Sequence, residues 1–565
     1  MPKRFIVDEG KLPFAYALRG VAARGYGSGD FRADMGAGLT VGIVALPLSI
    51  ALSIASGAPP QWGLFTAIVA GTVVALTGGS MHSVTGPTAA FVVILAPITT
   101  RFGLSGLLVA TFMAGLILVA MGLLRMGRLI QFIPYPVTTG FTAGIGVTIA
   151  VLQLGDFLGL GSLQGEDIWN RLADLSQRFL QMSLPDIAVG VFSLALLIFT
   201  PRLTKKVPAP LVAVVLAAVA GFLMTQAGLE VATIDTRFGG IPAVPPTPLL
   251  PWTVEGGFDF ASLSELAPSA VAIAMLGAIE SLLCAVVADG MTGSRHDPDS
   301  ELVGLGLGNL IVPFFGGFAA TGAIARTATG VRAGGRTPVA AVIHSVFLLV
   351  VVLALAPLLG SIPMAAMAAL LLVVAWNMAD ARHFARMLRI SPRSDITVLL
   401  VCFFLTVVFD MVVAVAVGVV LAAFLFMRRM VEISGAKLIG DAHGHSGEGL
   451  PPGVVFYDIA GPLFFGAAEK ALGALTTVGG EVHTVIIDLE DVPAVDATGL
   501  VALESTLEHL HGLGIKVILT GVQTQPQRAF ARAGLVDVPG KLEMDNNVGD
   551  TIERVIAEVG EAPPA

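Results

Sequence analysis

Two short segments, about half a chain apart, carry the residues best suited to hold an anion. In the first, Gly78-Gly79 leads into Thr85-Gly86-Pro87-Thr88-Ala89; in the second, Gly316-Gly317 leads into Thr321-Gly322-Ala323-Ile324-Ala325-Arg326-Thr327. Glycine and proline break regular structure, and a helix that restarts after such a break begins with N–H groups that have no intrahelical partner. Each such end is equivalent to roughly half a positive charge and attracts anions. Thr88 adds a hydroxyl, the backbone at Ala323 to Ala325 adds amides, and Arg326 adds a charge that deprotonation does not remove. Two unrelated helix starts would use the same residues, and an Arg326 paired with a neighbouring carbonyl or carboxylate would only support packing.

A second charge stands in the apolar run Met275-Leu276-Gly277-Ala278-Ile279-Glu280-Ser281-Leu282-Leu283-Cys284, with Asp289 at its end. An unpaired carboxylate in lipid costs several kcal/mol, so Glu280 must pair, take up a proton or hold a cation. A permanently protonated Glu280 with one interhelical hydrogen bond satisfies the same requirement. Two helix ends plus Arg326 supply about two positive charges, and ionised Glu280 removes one. Protonated Glu280 therefore suits a dianion, and the expectation is that proton and anion enter together.

The remaining signals exclude more than they assign. His82 and His344 fall near the ends of apolar stretches, where interfacial or hydrogen-bonded roles are expected. Cys284 and Cys402 lie inside apolar runs, which disfavours a disulfide. No metal-ligand spacing, P-loop, dinucleotide fingerprint or nucleophile elbow occurs, so the sequence reads as a non-enzyme without metal or organic cofactor.

The elements that must position these residues are membrane helices. Of 565 residues, 55% are hydrophobic and only 13% charged, against the roughly 25% charge of soluble domains. Apolar stretches fill residues 36–430, clearest at 36–56, 104–124, 211–226, 339–359, 362–378 and 396–426. The last is long enough for two spans turning near Asp410. We count about fourteen segments. Interrupted segments at corresponding positions of two halves are the mark of an inverted-repeat transporter.

Arg125/Arg128, Arg202/Lys205/Lys206, Arg382/Arg386/Arg389/Arg393 and Arg428/Arg429 follow even-numbered segments, while the loops with Glu166/Asp167/Asp174 and Glu230/Asp235/Glu255/Asp259 are acidic. Positive loops face the cytoplasm, which places both termini there. Residues 1–35 are polar, without a cleavable signal, and form a cytoplasmic N-terminal segment. Residues 431–452 read as a linker and 453–565 as a soluble α/β domain, with strands at 454–459, 484–489 and 516–519 and helices at 467–475, 500–510 and 526–533. The net charge of −9 argues against nucleic acid as a partner.

At these residues the chain resembles the SulP family, also called solute carrier family 26, along nearly its whole length. The resemblance rests on Ala45-Leu46-Pro47 through Gly63-Leu64-Phe65, Thr85-Gly86-Pro87, Leu276 to Leu283, Asp289-Gly290-Met291-Thr292-Gly293 and Gly322 to Thr327. In the soluble end, Val485-Ile486-Ile487-Asp488-Leu489 and Asp496-Ala497-Thr498-Gly499-Leu500 resemble the STAS domain shared with anti-sigma-factor antagonists.

The resemblance implies a mainly α membrane protein of fourteen segments in a seven-plus-seven inverted repeat like that of uracil permeases. It implies a core domain moving against a gate domain, a homodimer, and a cytoplasmic STAS domain. It implies an anion site on Gly86, Pro87, Thr88, Ala89, Ala323, Ile324, Ala325, Arg326 and Thr327, lined also by Leu52, in a bacterial cytoplasmic membrane. Many animal members carry Ser where Ala325 stands, so here only the backbone donates. Sodium-coupled bicarbonate members resemble Asp at Glu280 and Thr at Cys284, and sulfur is a poor sodium ligand. That departure favours protons as the coupling ion. The wording around Glu280 and Leu371-Leu372-Val373-Val374-Ala375-Trp376-Asn377-Met378 is most similar to bacterial C4-dicarboxylate uptake members, with sulfate second and bicarbonate third. An uncoupled anion channel and a transporter-derived sensor are the competing readings. Thr498 stands where sigma-factor antagonists carry a phosphorylated hydroxyl; it is expected to be either a regulatory switch or the N-terminal cap of its helix. The STAS domain is also where a cytoplasmic regulatory partner would bind.

Overall fold

A computed structural model describes residues 14–128, 134–165, 167–204, 207–409, 411–433, 435–439, 450–473, 475 and 482–560. Glu166, Lys205, Lys206 and Asp410 lie outside the described residues, as does half of the stretch read as a linker. The chain divides into two compact units, Met1–Val419 and Val420–Ala565.

Among its described residues the first unit is mostly helical, with one two-residue ladder and an isolated bridge between Thr233 and Pro363. In order it contains α1 (Tyr16–Arg24), α2 (Ser28–Ala55), α3 (Pro60–Thr77), β1 (Thr85–Gly86), α4 (Ala89–Leu123), α5 (Tyr135–Phe157), α6 (Ile168–Arg178), α7 (Leu184–Leu203), α8 (Ala209–Gln226) and α9 (Ile234–Phe238). The second half adds α10 (Leu263–Thr292), α11 (Pro298–Ile311), β2 (Thr321–Gly322), α12 (Ile324–Arg332), α13 (Val339–Gly360), α14 (Met364–Ala379), α15 (Ala381–Ile390), α16 (Arg393–Val408) and the start of α17 (Met411–Ile433), whose residues from Val420 on belong to the second unit. Among the described residues, ten helices are long and apolar enough to cross a membrane. Splitting α4 at Gly103, whose φ of 70° breaks it, and adding the shorter α11, α12 and α16 gives the fourteen expected segments.

Two helix groups emerge from packing. In one, α11 packs on α3 and α4, α10 on α4 and α12, and α13 on α2 and α3; in the other, α5 packs on α14 and α16, and α7 on α8 and α14. Glycines set the close approaches, as expected where lipid provides no hydrophobic drive for helix association. A Cβ at Gly63 of α3 would lie 1.9 Å from the Ser49 carbonyl of α2. Gly115 of α4 and Gly306 of α11 likewise leave each other no room for a side chain.

The first membrane helix begins at Ser28 rather than at 36, because Asp30 and Asp34 hide its start from an apolar count. Asp34 is fully buried and accepts from Arg336 N at 2.7 Å, Thr337 N at 3.1 Å and Thr337 Oγ1 at 2.5 Å. With the Tyr26 hydroxyl also donating at 3.3 Å, a carboxylate with four donors is a structural tie between α2 and the turn before α13.

The second unit contains β3 (Gly435–Ile439), β4 (Val454–Ala460), α18 (Phe465–Leu472), β5 (Thr484–Asp488), α19 (Ala497–Gly512), β6 (Lys516–Thr520), α20 (Thr524–Ala533), β7 (Leu542–Asp545) and α21 (Val548–Gly560). The sheet order is β3-β4-β5-β6-β7, antiparallel at β3–β4 and parallel elsewhere. Both faces are covered, which is why 484–489 reads as a continuous apolar run. Tyr457, Val485, Ile487, Val517 and Leu519 pack with Leu503, Leu507 and Phe530 on one face. Phe456, Ile486 and Ile518 pack with Val548, Ile552 and Val555 of α21 on the other.

Part of the stretch expected as a linker is therefore an edge strand. Gly435-Ala436-Lys437-Leu438-Ile439 is too short and too small in its side chains to alternate visibly, and its pairing with β4 gives it order. The acid-rich β7 and the whole of α21 were likewise not expected from the pattern.

Glu543 of β7 receives Lys516 Nζ at 2.8 Å and Arg554 Nη1 at 2.9 Å. Burial alone raises its pKa, but the hydrogen bonds and charges of Lys516 and Arg554 more than offset this and hold the carboxyl below its usual value of 4.5. A depressed pKa contributes stability that is present above the ordinary carboxylate value and lost as pH falls through it. Amide exchange in β6 and β7 of the solubilised protein should accelerate between about pH 5 and 3, and Glu543→Gln should flatten that dependence.

Candidate functional site

In the ladder between the two interrupted segments, Thr85 lies opposite Gly322 and Gly86 opposite Thr321, antiparallel. Ala323 N extends it by donating to Val84 O at 2.9 Å. Because the strands run in opposite directions, α4 and α12 leave the ladder in opposite directions with their N-terminal ends facing across it, as in transporters built from inverted repeats. The residues before them, Thr88 and Ala323, are extended, and no side chain caps either helix. Two sets of N–H groups are thereby gathered at one place.

Arg326 crosses this place. It is 3% exposed, its Nη2 donates to Pro87 O at 2.9 Å, and its buried Nη1 has no partner among the described residues. A Cβ at Gly86 would stand 2.5 Å from that Nη1. Gly86→Ala should therefore push the guanidinium aside and raise the KM for anion uptake by roughly tenfold to a hundredfold, with expression and the elution profile unchanged.

Thr88 donates its Oγ1 hydrogen to Glu280 Oε2 at 2.9 Å. The hydroxyl expected to face an anion is thus held by the carboxylate on α10, since a buried acceptor without a donor is costly. Ile324 is 42% exposed, Ala325 is exposed, and Thr88 and Glu280 are half-buried, so this surface is open rather than packed. Pro87 and Ala89 are buried beside it, and Leu52 is buried in α2, which packs on α12. Thr327 turns elsewhere: its hydroxyl receives Val84 N at 2.9 Å and Cys284 Sγ at 3.1 Å, joining the residue before β1 to α10 and α12.

Several residues that support the site were not singled out from sequence. Glu301 of α11, 1% exposed, accepts from Gly79 N and Ser80 N at 2.9 Å through Oε2 and from Ser281 Oγ at 3.1 Å through Oε1. Asn309 binds both backbone groups of Ala320, at 2.8 and 2.9 Å, and Thr66 accepts from Phe318 N at 2.9 Å. These side chains replace the ladder that the irregular backbone before β1 and β2 lacks. The acid at Glu301 follows Asp297-Pro298-Asp299-Ser300, a helix start, and in sequence it reads only as a first-turn charge. His344, expected at an interface or hydrogen-bonded, is fully buried in α13, and neither ring nitrogen has a partner among the described residues.

In the second unit, Asp496 caps α19 by accepting from Gly499 N at 2.7 Å. Thr498 is therefore not the cap; it is exposed at the helix's second position. Among the described residues no group of three or more His, Cys, Asp or Glu side chains is arranged to hold a metal ion.

The sequence matches the Sulfate permease family over residues 31–402 and the STAS domain over 450–551. It is 38% identical to Bacillus subtilis YvdB, whose name assigns it provisionally to sulfate transport, over 92% of this chain and 96% of that protein. It is 32% identical to the bicarbonate transporter BicA of Picosynechococcus, over 90% of this chain and 91% of the relative. The structure of the anion transporter Slc26a9 from mouse, in its inward-facing state, superposes with a TM-score of 0.84 at 18% identity over 96% of this chain and 94% of that one, and shares the fold. The transmembrane domain of a cyanobacterial BicA gives a TM-score of 0.61 at 29% identity over 70% of this chain and 98% of that domain. The chain is a multi-pass membrane anion transporter, not an enzyme, and belongs to the sulfate permease (SulP, solute carrier 26) family with a C-terminal STAS domain.

Proposed function

We propose that this transporter carries a small divalent anion and a proton together into a bacterial cell, by movement of the group containing α2–α4 and α10–α13 against the group containing α5, α7, α8, α14 and α16. The observation that carries the reading is the unpartnered Nη1 of buried Arg326, set where the N-termini of α4 and α12 face each other. Coupling follows from the Thr88–Glu280 bond. Ionised Glu280 only accepts, so it holds the Thr88 hydrogen; protonated Glu280 donates to Thr88 Oγ1 and frees that hydrogen for the anion. Protonation also removes a negative charge from the place an anion must enter.

For the substrate we rank a C4-dicarboxylate first. Beyond the amides, Arg326 and the Thr88–Glu280 pair, the exposed side chains here, Ile324 and Ala325, are apolar, which suits an organic dianion better than an ion needing donors on every side. Sulfate is second, supported by the names of several relatives, and bicarbonate third. Arginines at one end of the first unit, among them Arg24, Arg125, Arg128, Arg332 and Arg336, support a cytoplasmic location for that end and for both termini. By family, a homodimer is the working assembly. Thr498 is the proposed regulatory position, because an exposed hydroxyl at a helix start accepts phosphate readily; a phosphorylation survey that always found it unmodified would remove that role.

Vesicles reconstituted with the full chain, an acidic exterior and no sodium should accumulate labelled succinate above its equilibrium level. Fumarate, aspartate, sulfate and bicarbonate in competition rank the substrates. Equilibration without accumulation would identify a channel. Weak flux with a large cellular effect of removing everything after Gly440 would identify a sensor.

A further inference from the structure

At the C-terminal end of α10, His296 Nδ1 stands 2.7 Å from Asp289 Oδ2, and His296 N donates to the same oxygen at 2.8 Å. Ser294 Oγ occupies the other carboxylate oxygen at 2.7 Å. Asp289 therefore fixes the imidazole with its Nδ1 hydrogen toward the carboxylate and leaves Nε2 as the atom that gains or loses a proton. The His296 side chain is 7% exposed, and Nε2 is buried without a partner among the described residues. A structural histidine would normally satisfy both nitrogens.

The pair stands at the arginine-rich end of the first unit. Gly127 N, in the turn with Arg125 and Arg128, donates to Asp299 Oδ1 at 2.9 Å, and Tyr16 N of α1 donates to Ser300 Oγ at 3.2 Å. We propose that His296, held by Asp289, is a proton-transfer site that loads and unloads the coupling proton at this end of the transporter. This rests on the proton-coupled reading above and adds to it where the proton passes. Nε2 accepts a proton to give an imidazolium paired with Asp289 and returns it as the neutral ring, so charge balances without another reactant.

The charged and titratable groups around the ring favour loading. Burial alone lowers the His296 pKa, but the hydrogen bond to Asp289 and the charges of Asp289 on α10 and of Glu301 and Asp297 on α11 raise it above the ordinary 6.5. Tyr16 of α1 and His82, in the segment after α3, stand near enough to Asp289 to feel its charge. Nine residues of helix, about 14 Å, separate Asp289 from Glu280, so the proton moves between them through intermediate groups. Glu301, whose Oε1 accepts from Ser281, the neighbour of Glu280 in sequence, and whose charge also acts on His296, is one such group.

The test uses the full chain in vesicles, with labelled succinate and labelled sulfate run separately. His296→Gln keeps a donor for Asp289 but does not titrate. It should slow uptake driven by the pH gradient at least about tenfold while anion-for-anion counterflow, which needs no net proton movement, stays within about twofold. Asp289→Asn, which removes the imidazolium's partner, should move the pH midpoint of uptake downward. Equal loss of both flows in His296→Gln, or no loss of either, overturns the proposal, as does an unmoved midpoint in Asp289→Asn, which decides alone if the histidine variant does not fold. Failure of the coupled reading itself is seen differently: the parent chain then shows no uptake driven by the gradient.

Discussion

Arg326→Gln should abolish transport and weaken anion binding by at least about a hundredfold, because each hydrogen bond to a charged group contributes about 1.5 to 3 kcal/mol and the guanidinium offers more than one. The neutral side chain leaves two partial helix charges to face a dianion alone. Arg326→Lys should restore little, since a single ammonium does not hold the Pro87 carbonyl, 2.9 Å from Nη2, and meet an anion through a second, diverging donor. Binding of succinate by the purified variants, read beside their thermal stability, separates lost recognition from lost folding. Near-parental binding by Arg326→Gln would show that the anion sits elsewhere.

Glu280→Gln should uncouple the two substrates. The amide of Gln keeps the contact with Thr88 seen at 2.9 Å by donating from Nε2 to Thr88 Oγ1, as protonated Glu280 would, while the side chain no longer changes charge. Anion binding should then lose its pH dependence, and accumulation against a gradient should fall by about two orders of magnitude, within the range that one positioned proton-transfer group contributes. Counterflow should survive, because a neutral residue at 280 imitates the loaded carrier. An unchanged pH profile in this variant would end the coupling argument.

The broken segments were legible because glycine and proline in an apolar background have few structural meanings. The Gly78-Gly79 and Gly316-Gly317 segments were placed correctly at matching positions of the two halves, and β1 pairs with β2. What sequence did not disclose was how the irregular backbone is held. Glu301, Asn309 and Thr66 act on residues up to 252 positions away, and no local pattern encodes such distances.

The same limit explains Thr88. Its hydroxyl was legible as a donor, but that Glu280, 192 positions away, takes the hydrogen depends on how α10 packs against α4. In the soluble unit the strands with alternating or continuous apolar runs were read well. β3, β7 and α21 were not, since a short edge strand and an acidic strand carry little periodic signal and their order comes from pairing.

The most direct measurement is the structure of the transporter with a bound dianion. The account predicts density between the starts of α4 and α12, within hydrogen-bonding distance of Arg326 Nη1 and the amides after Ala323, with the Thr88 hydroxyl turned toward the ligand. An anion bound at another place, with Nη1 still unmatched and Thr88 still joined to Glu280, would contradict it.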